Sequence, residues 1–225
     1  MDFIFMLTNG DKTVANCLGV LESIKDVGVS HIGFKDVGVR IGTLATLAAR
    51  IKEIGATSYM EVVSTTPADI EKSINTAVKI GIDRVLGGQD VEFTLPLLEG
   101  TGATYYPFPG RPLGHPTVLG GKPEDIQADC ERFRAAGCPG VDLLAYRACE
   151  ADPLDLIRGA RTGLKDGYLI VAGSIDSQER IRMISDAGAD AFTIGTAIFN
   201  NVFTPGGDSV PYQCQEVLKT CEAVA

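Results

Sequence analysis

Lys35 and Glu61 are the residues whose types and settings speak most directly of chemistry. Lys35 stands in Gly33-Phe34-Lys35-Asp36-Val37-Gly38, and Glu61 in Tyr59-Met60-Glu61-Val62-Val63. A lysine in desolvated surroundings beside a carboxylate can act as an acid or base, or as the cation that stabilises a developing enolate. A carboxylate inside an apolar run is rare unless it is paired or functional. Brought together, the two could shuttle a proton at the carbon next to a carbonyl, with Asp36 as a further catalytic candidate. The plainer alternatives are a Lys35–Asp36 surface ion pair and a structural Lys35–Glu61 pair. Asp36 and Glu61 could also ligate a divalent metal, as in a metal-dependent aldolase. Two carboxylates without a convergent His or third acid make that a weak signal, and no cofactor is expected.

A second pattern lies near the C-terminus. Ile170-Val171-Ala172-Gly173-Ser174-Ile175 ends one apolar run and opens a helix-like stretch. Twenty-two residues on, Thr193-Ile194-Gly195-Thr196-Ala197-Ile198 repeats it. Glycine lets backbone approach a ligand, and successive N–H groups with a helix start make an anion site. Gly173, Ser174, Gly195 and Thr196 are therefore read as phosphate-binding, against the alternative that these glycines only make tight turns. Arg147 could clamp a carboxylate or phosphate, or pair on the surface with Glu150 or Asp152. Asn9 and His115 complete the substrate-binding candidates. His115, in Gly114-His115-Pro116, has a general-acid reading through a lid loop and a plainer one as an exposed loop residue.

These residues need elements to position them. Eight short apolar runs, at residues 3–8, 31–37, 57–63, 84–88, 104–108, 141–146, 168–173 and 191–195, alternate with amphipathic stretches such as 14–27 and 44–54. Several of those stretches close on a glycine, as helix C-termini do. Eight βα units predict a single (β/α)₈ TIM barrel over residues 1–225, with an open doubly wound sheet as the alternative. In such a barrel the active site lies at the C-terminal ends of the strands. The ends of strands 2, 3, 7 and 8 then carry Lys35, Glu61, Gly173 and Gly195. The longest loop, 107–123, is rich in proline and glycine, and loops of that length are often functional.

The 225 residues include 45% hydrophobic and 22% charged side chains, with a net charge of −9. That argues against disorder and against nucleic acid as a partner. No apolar run is long enough to span a membrane, and no signal peptide is evident. Six cysteines without a CxxC motif read as reduced thiols of a cytoplasmic protein.

Over residues 168–200, the segment VAGSIDSQERIRMISDAGADAFTIGTAIF resembles the terminal phosphate cup of the ribulose-phosphate-binding barrels. That group includes hexulose-phosphate synthase, ribulose-phosphate epimerase, N-acetylmannosamine-6-phosphate epimerase, the keto-deoxy-phosphogluconate aldolases and the histidine and tryptophan biosynthetic barrels. The rest of the chain is similar to them only in βα rhythm. The Lys35 segment is similar to the strand-2 lysine segment of the mannosamine-phosphate epimerases, but Ala172-Gly173 stands where those carry a strand-7 Glu. Lys35-Asp36 has the wrong spacing for the Asp-x-Lys-x-x-Asp pattern of the synthases. His31 lies at the wrong end of its strand for ribulose-phosphate epimerase. Asp142-Leu143-Leu144-Ala145-Tyr146-Arg147 lacks the lysine of the Schiff-base aldolases. The resemblance implies a lyase or isomerase acting on a small phosphorylated carbonyl compound such as a sugar phosphate. A non-catalytic barrel that binds a phosphorylated metabolite is the second reading, and a homo-oligomer is compatible with either.

Overall fold

The computed structural model of the chain describes residues 1–64, 66–114, 117–204, 206 and 209–224. Eight parallel strands form its centre: β1 (Asp2–Met6), β4 (His31–Lys35), β5 (Thr57–Glu61), β6 (Arg84–Leu86), β7 (Thr104–Tyr106), β10 (Gly140–Leu143), β11 (Tyr168–Val171) and β12 (Ala191–Ile194). They pair in the order β10-β11-β12-β1-β4-β5-β6-β7. The circle is completed between its ends by one hydrogen bond, from the Asp142 N–H to the Pro107 carbonyl (3.0 Å). This is a (β/α)₈ barrel, and its eight strands are the eight apolar runs of the sequence. Helices α2 (Ile41–Glu53), α3 (Pro67–Ile80), α4 (Val91–Leu98), α5 (Pro123–Ala135), α6 (Pro153–Leu164), α7 (Gln178–Asp186), α8 (Thr196–Phe199) and α9 (Val210–Ala223) cover it, together with α1 (Cys17–Ile24).

Successive side chains on a strand face opposite sides, which sorts the chain into two apolar sets. Phe3, Phe5, Ile32, Phe34, Met60 and Phe192 belong to the large core between strands and helices. Ile4, Met6, Tyr59, Leu86, Tyr106 and Ile170 fill the barrel itself. At its base the Arg84 guanidinium lies over the rings of Tyr168, Tyr59 and Tyr106, at 4.7, 5.3 and 5.6 Å. Cation–π attraction offsets the partial desolvation of this half-buried charge. His31 is at this end, with Nδ1 2.9 Å from the Tyr59 hydroxyl.

Local signals explain the helix boundaries. The Thr66 hydroxyl accepts from the Asp69 N–H ahead of Pro67, and α3 ends on Gly81 at φ +75°. Ser177 caps α7 in the same way, accepting from the Arg180 N–H. The structure corrects the sequence reading in three places. The first helix is Cys17–Ile24 rather than 14–27. Before it, β2 (Thr8–Asn9) pairs with β3 (Lys12–Thr13) as a small antiparallel hairpin that takes Thr8 out of β1. The long loop carries a second hairpin, β8 (Arg111–Leu113) with β9 (Val118–Gly120). Cys149 is exposed and the other five cysteines are buried, all as free thiols.

Candidate active site

The strand register builds the site. On β4 the inward positions are His31, Gly33 and Lys35, and on β5 they are Thr57, Tyr59 and Glu61; Lys35 pairs with Glu61 across the two strands. Directly opposed side chains on one face of a sheet touch. Lys35 Nζ lies 3.2 Å from Glu61 Oε1 and 2.9 Å from Asp11 Oδ1. Asp11 reaches it from the β2–β3 turn, where Gly10 and Asp11 both take left-handed backbone (φ +57° and +61°). Asp and Gly suit such a two-residue turn. The same Asp11 oxygen accepts from Arg147, with NH2 3.2 Å away. Arg147 ends a short 3₁₀ turn, Ala145–Arg147, after β10, and its NH1 donates to the Thr117 carbonyl at 3.3 Å.

The charges of this group are set by one another. Burial alone would raise the Asp11 carboxyl. The hydrogen bond and charge of Lys35, followed by those of Arg147, outweigh it and bring Asp11 down to about 2. Lys35 is 6% exposed. Its burial favours the neutral amine, but the negative charges of Glu61 and Asp11 more than reverse this and raise it above the ordinary lysine value. Lys35 is accordingly an ammonium ion at neutral pH.

Two cavities meet at these side chains. One, of about 430 Å³, is bounded by Lys35, Glu61 and Asp11 on one side and by Gly173, Ser174, Gly195 and Thr196 on another. The second, of about 470 Å³, shares Asp11, Lys35, Glu61, Leu144 and Arg147 and continues along Val62, Val63, Phe108 and Pro112. The barrel mouth is thus divided into a polar and a more apolar lobe, with the ion group between. The glycines of the polar lobe are needed for close packing. A Cβ on Gly173 would stand 2.7 Å from Arg147 Nε, and one on Gly195 would stand 2.5 Å from Thr8 Oγ1. Ser174 follows Gly173 in left-handed backbone at φ +57°.

The structure therefore brings together Lys35, Glu61 and Arg147 with the four loop residues at the ends of β11 and β12. Asp36 is not part of this group. Its carboxylate accepts from the Val63 N–H (3.1 Å) and from the Ser64 and Ser73 hydroxyls (2.9 and 2.6 Å), tying the end of β5 to α3. Asp36 and Glu61 thus face different partners. Among the described residues, no cluster of three or more His, Cys, Asp or Glu is arranged to hold a metal ion. Asn9 is exposed in its hairpin and lines neither cavity. His115 lies outside the described residues.

Two acidic residues join the group beyond those selected from the sequence. Asp11, which the sequence offers with Thr8 and Asn9 at the end of the first strand, follows an Asn-Gly pair, a turn signal. Asp142, on β10, is 1% exposed, and among the described residues neither carboxylate oxygen has a hydrogen-bond partner. Burial pushes its carboxyl well above the usual range. The charge of Glu61 adds to the rise, and Lys35 and Arg147 offset part of it. Asp142 alternates with the outward Val141 and Leu143 and so faces into the barrel, two residues before Leu144, which lines both cavities.

Among known proteins, the chain is similar in sequence to geranylgeranylglyceryl phosphate synthase of Cenarchaeum symbiosum (strain A), at 35% identity over 127 residues. The match takes in 56% of this chain and 49% of the synthase, so the chain spans about half the length of that curated relative. No family model matches. Solved structures agree over nearly the whole chain at low identity. A native KDPGal structure superposes with a TM-score of 0.71 at 13% identity, covering 100% of this chain and 96% of its own. A mutant tryptophan synthase α-subunit from Pyrococcus furiosus gives 0.69 at 12%, covering 97% and 98%. Orotidine 5′-phosphate decarboxylase from Pyrococcus horikoshii OT3 gives 0.66 at 16%, covering 96% and 99%. The chain shares the (β/α)₈ barrel fold of these proteins.

Proposed function

We propose that the chain is an enzyme, a lyase or isomerase that moves a proton on a small phosphorylated carbonyl compound of the sugar-phosphate kind. The observation that carries this reading is the Lys35–Glu61 contact of 3.2 Å on the wall of a cavity whose other wall is the pair of glycine turns. In this reading the phosphate accepts N–H groups at Gly173-Ser174 and Gly195-Thr196, leaving the carbonyl end toward the ion group. The Glu61 carboxylate takes the proton from the carbon beside the carbonyl. The electron pair moves onto the carbonyl oxygen, where the Lys35 ammonium stabilises the negative charge. Return of the proton from Glu61 to the former carbonyl carbon, with the adjacent hydroxyl proton passing to the old carbonyl oxygen, gives an isomer. In a lyase Glu61 instead takes the proton of the hydroxyl β to the carbonyl, the carbon–carbon bond breaks to release an aldehyde and leave its electron pair in an enolate that Lys35 stabilises, and Glu61 returns the proton to the enolate carbon. The raised Lys35 favours this electrophilic role over a Schiff base, which requires the neutral amine.

A second reading rests on a separate observation. The apolar lobe along Val62, Val63, Phe108 and Pro112, with the similarity to geranylgeranylglyceryl phosphate synthase, suits a phosphorylated alcohol that carries an apolar chain. A panel of phosphorylated aldoses and ketoses, together with glycerol phosphate plus a prenyl diphosphate, separates the readings when followed by phosphorus NMR. Conversion of a phosphorylated aldose or ketose supports the first. Consumption of the prenyl diphosphate with glycerol phosphate supports the second. Binding of phosphate with no turnover of any member makes the protein a metabolite-binding barrel.

A further inference from the structure

We infer that Asp11 sets the substrate class of this site, admitting a monophosphate whose remainder is uncharged and rejecting one that carries a second negative group. The inference rests on the reading of Gly173, Ser174, Gly195 and Thr196 as the phosphate subsite. Lys35 and Arg147 are the two cations at the boundary between the lobes, facing the place where the far end of a substrate would lie. A site with two free cations there would favour a carboxylate or a second phosphate. Here a single Asp11 oxygen engages both, at 2.9 Å from Lys35 Nζ and 3.2 Å from Arg147 NH2. The protein's own carboxylate thus occupies the position that a second anionic group would take. Glu61 balances the remaining charge on Lys35. The four side chains Lys35, Arg147, Asp11 and Glu61 sum to zero formal charge. A further anion would meet two carboxylates at contact range, and like charges juxtaposed in a partly dry site are strongly disfavoured.

Asp11 is held in place for this role. Its turn is fixed by the Thr8–Thr13 pairing, and the Gly10 N–H donates to Thr196 Oγ1 at 3.3 Å. The residue that filters charge is therefore tied to a residue of the phosphate subsite. Hydroxyl and carbonyl groups can still bond to Asp11 and Lys35 without a charge penalty, which fits a polyol or keto-polyol remainder.

Calorimetry with three probes tests the inference in the wild type and in Asp11→Asn, a residue that tolerates left-handed backbone. The probes are inorganic phosphate, glycerol 3-phosphate and 3-phosphoglycerate; the last two differ in a neutral alcohol against a carboxylate. The wild type is expected to bind glycerol 3-phosphate roughly tenfold or more tightly than 3-phosphoglycerate, and Asp11→Asn to erase or reverse that preference. Asp11→Ser provides the same comparison if the Asn variant folds poorly. Equal binding of the two probes by the wild type, or an unchanged ratio in a folded variant, overturns the role of Asp11. Failure of inorganic phosphate itself to bind overturns the phosphate subsite, and the inference with it.

Discussion

The Lys35 ammonium stands 3.2 Å from the Glu61 carboxylate, at the last paired position of two adjacent strands. Both side chains are largely withdrawn from water. Replacing Lys35 with Met leaves Asp11 and Glu61 without their shared cation. Breaking a fully buried pair costs about 3–5 kcal/mol, and the partial exposure here keeps the loss below that range. Turnover in Lys35→Met should be lost, while affinity for inorganic phosphate should be largely retained, since the loop N–H groups proposed to hold it are untouched. Glu61→Gln should lower kcat by about 10²–10⁴-fold, the scale of a removed acid–base group. Steady-state kinetics alongside phosphate titration checks both. Loss of phosphate affinity in step with kcat would mark the pair as structural.

Asp36 should behave differently from its neighbour Lys35. It accepts three hydrogen bonds that tie the end of β5 to α3, and Asp36→Ala leaves those donors without a partner. A stability loss of about 1–3 kcal/mol is expected in denaturant unfolding. Turnover per folded molecule should fall by less than about tenfold, well short of the loss for Glu61. A loss matching that of Glu61→Gln would instead place Asp36 in the chemistry.

Asp142 makes a prediction about pH. Its carboxyl is raised in the folded protein by burial and by the charge of Glu61, so the folded state holds a proton that the unfolded chain releases above the ordinary carboxylate range, about pH 4. The folded state then binds more protons than the unfolded one, and the stabilisation that this proton supplies is lost as pH rises toward the raised value. Asp142→Asn removes the proton from the balance. Wild-type stability should therefore fall more steeply than that of the variant as pH increases from about 4. Urea midpoints across that range measure the difference; parallel curves would show that Asp142 ionises normally.

The barrel was legible because strands covered on both faces leave apolar runs such as Leu169-Ile170-Val171, and each run became a strand. Lys35 and Glu61 stood out because charged residues in such runs are conspicuous, and alternation then sent both inward. The hairpins were hardly legible apart from the Asn9-Gly10 turn signal. Pairs of two or three residues, as in Thr8–Asn9 with Lys12–Thr13, leave no periodic trace. The sequence offers Thr8, Asn9 and Asp11 together at the end of the first strand and does not say which faces the site; the turn directs Asp11, rather than Asn9, to Lys35 and Arg147. Asp142 has the opposite difficulty. Its identity was plain, but its buried setting depends on which layer of the barrel it enters, and the strand ends decide that.

In the proposed reaction, Lys35 and Glu61 move a proton on a phosphorylated carbonyl compound held by the two glycine turns. Hydrogen exchange in deuterated water measures this directly. Triose and pentose ketose phosphates are incubated with the protein, and the C–H signal beside the carbonyl is followed by proton NMR. For one of these compounds, that signal should disappear with the wild type far faster than without protein. Lys35→Met and Glu61→Gln should each slow the loss by at least about 10²-fold. Exchange no faster than in buffer for every compound, in a protein that binds inorganic phosphate, would contradict the claim.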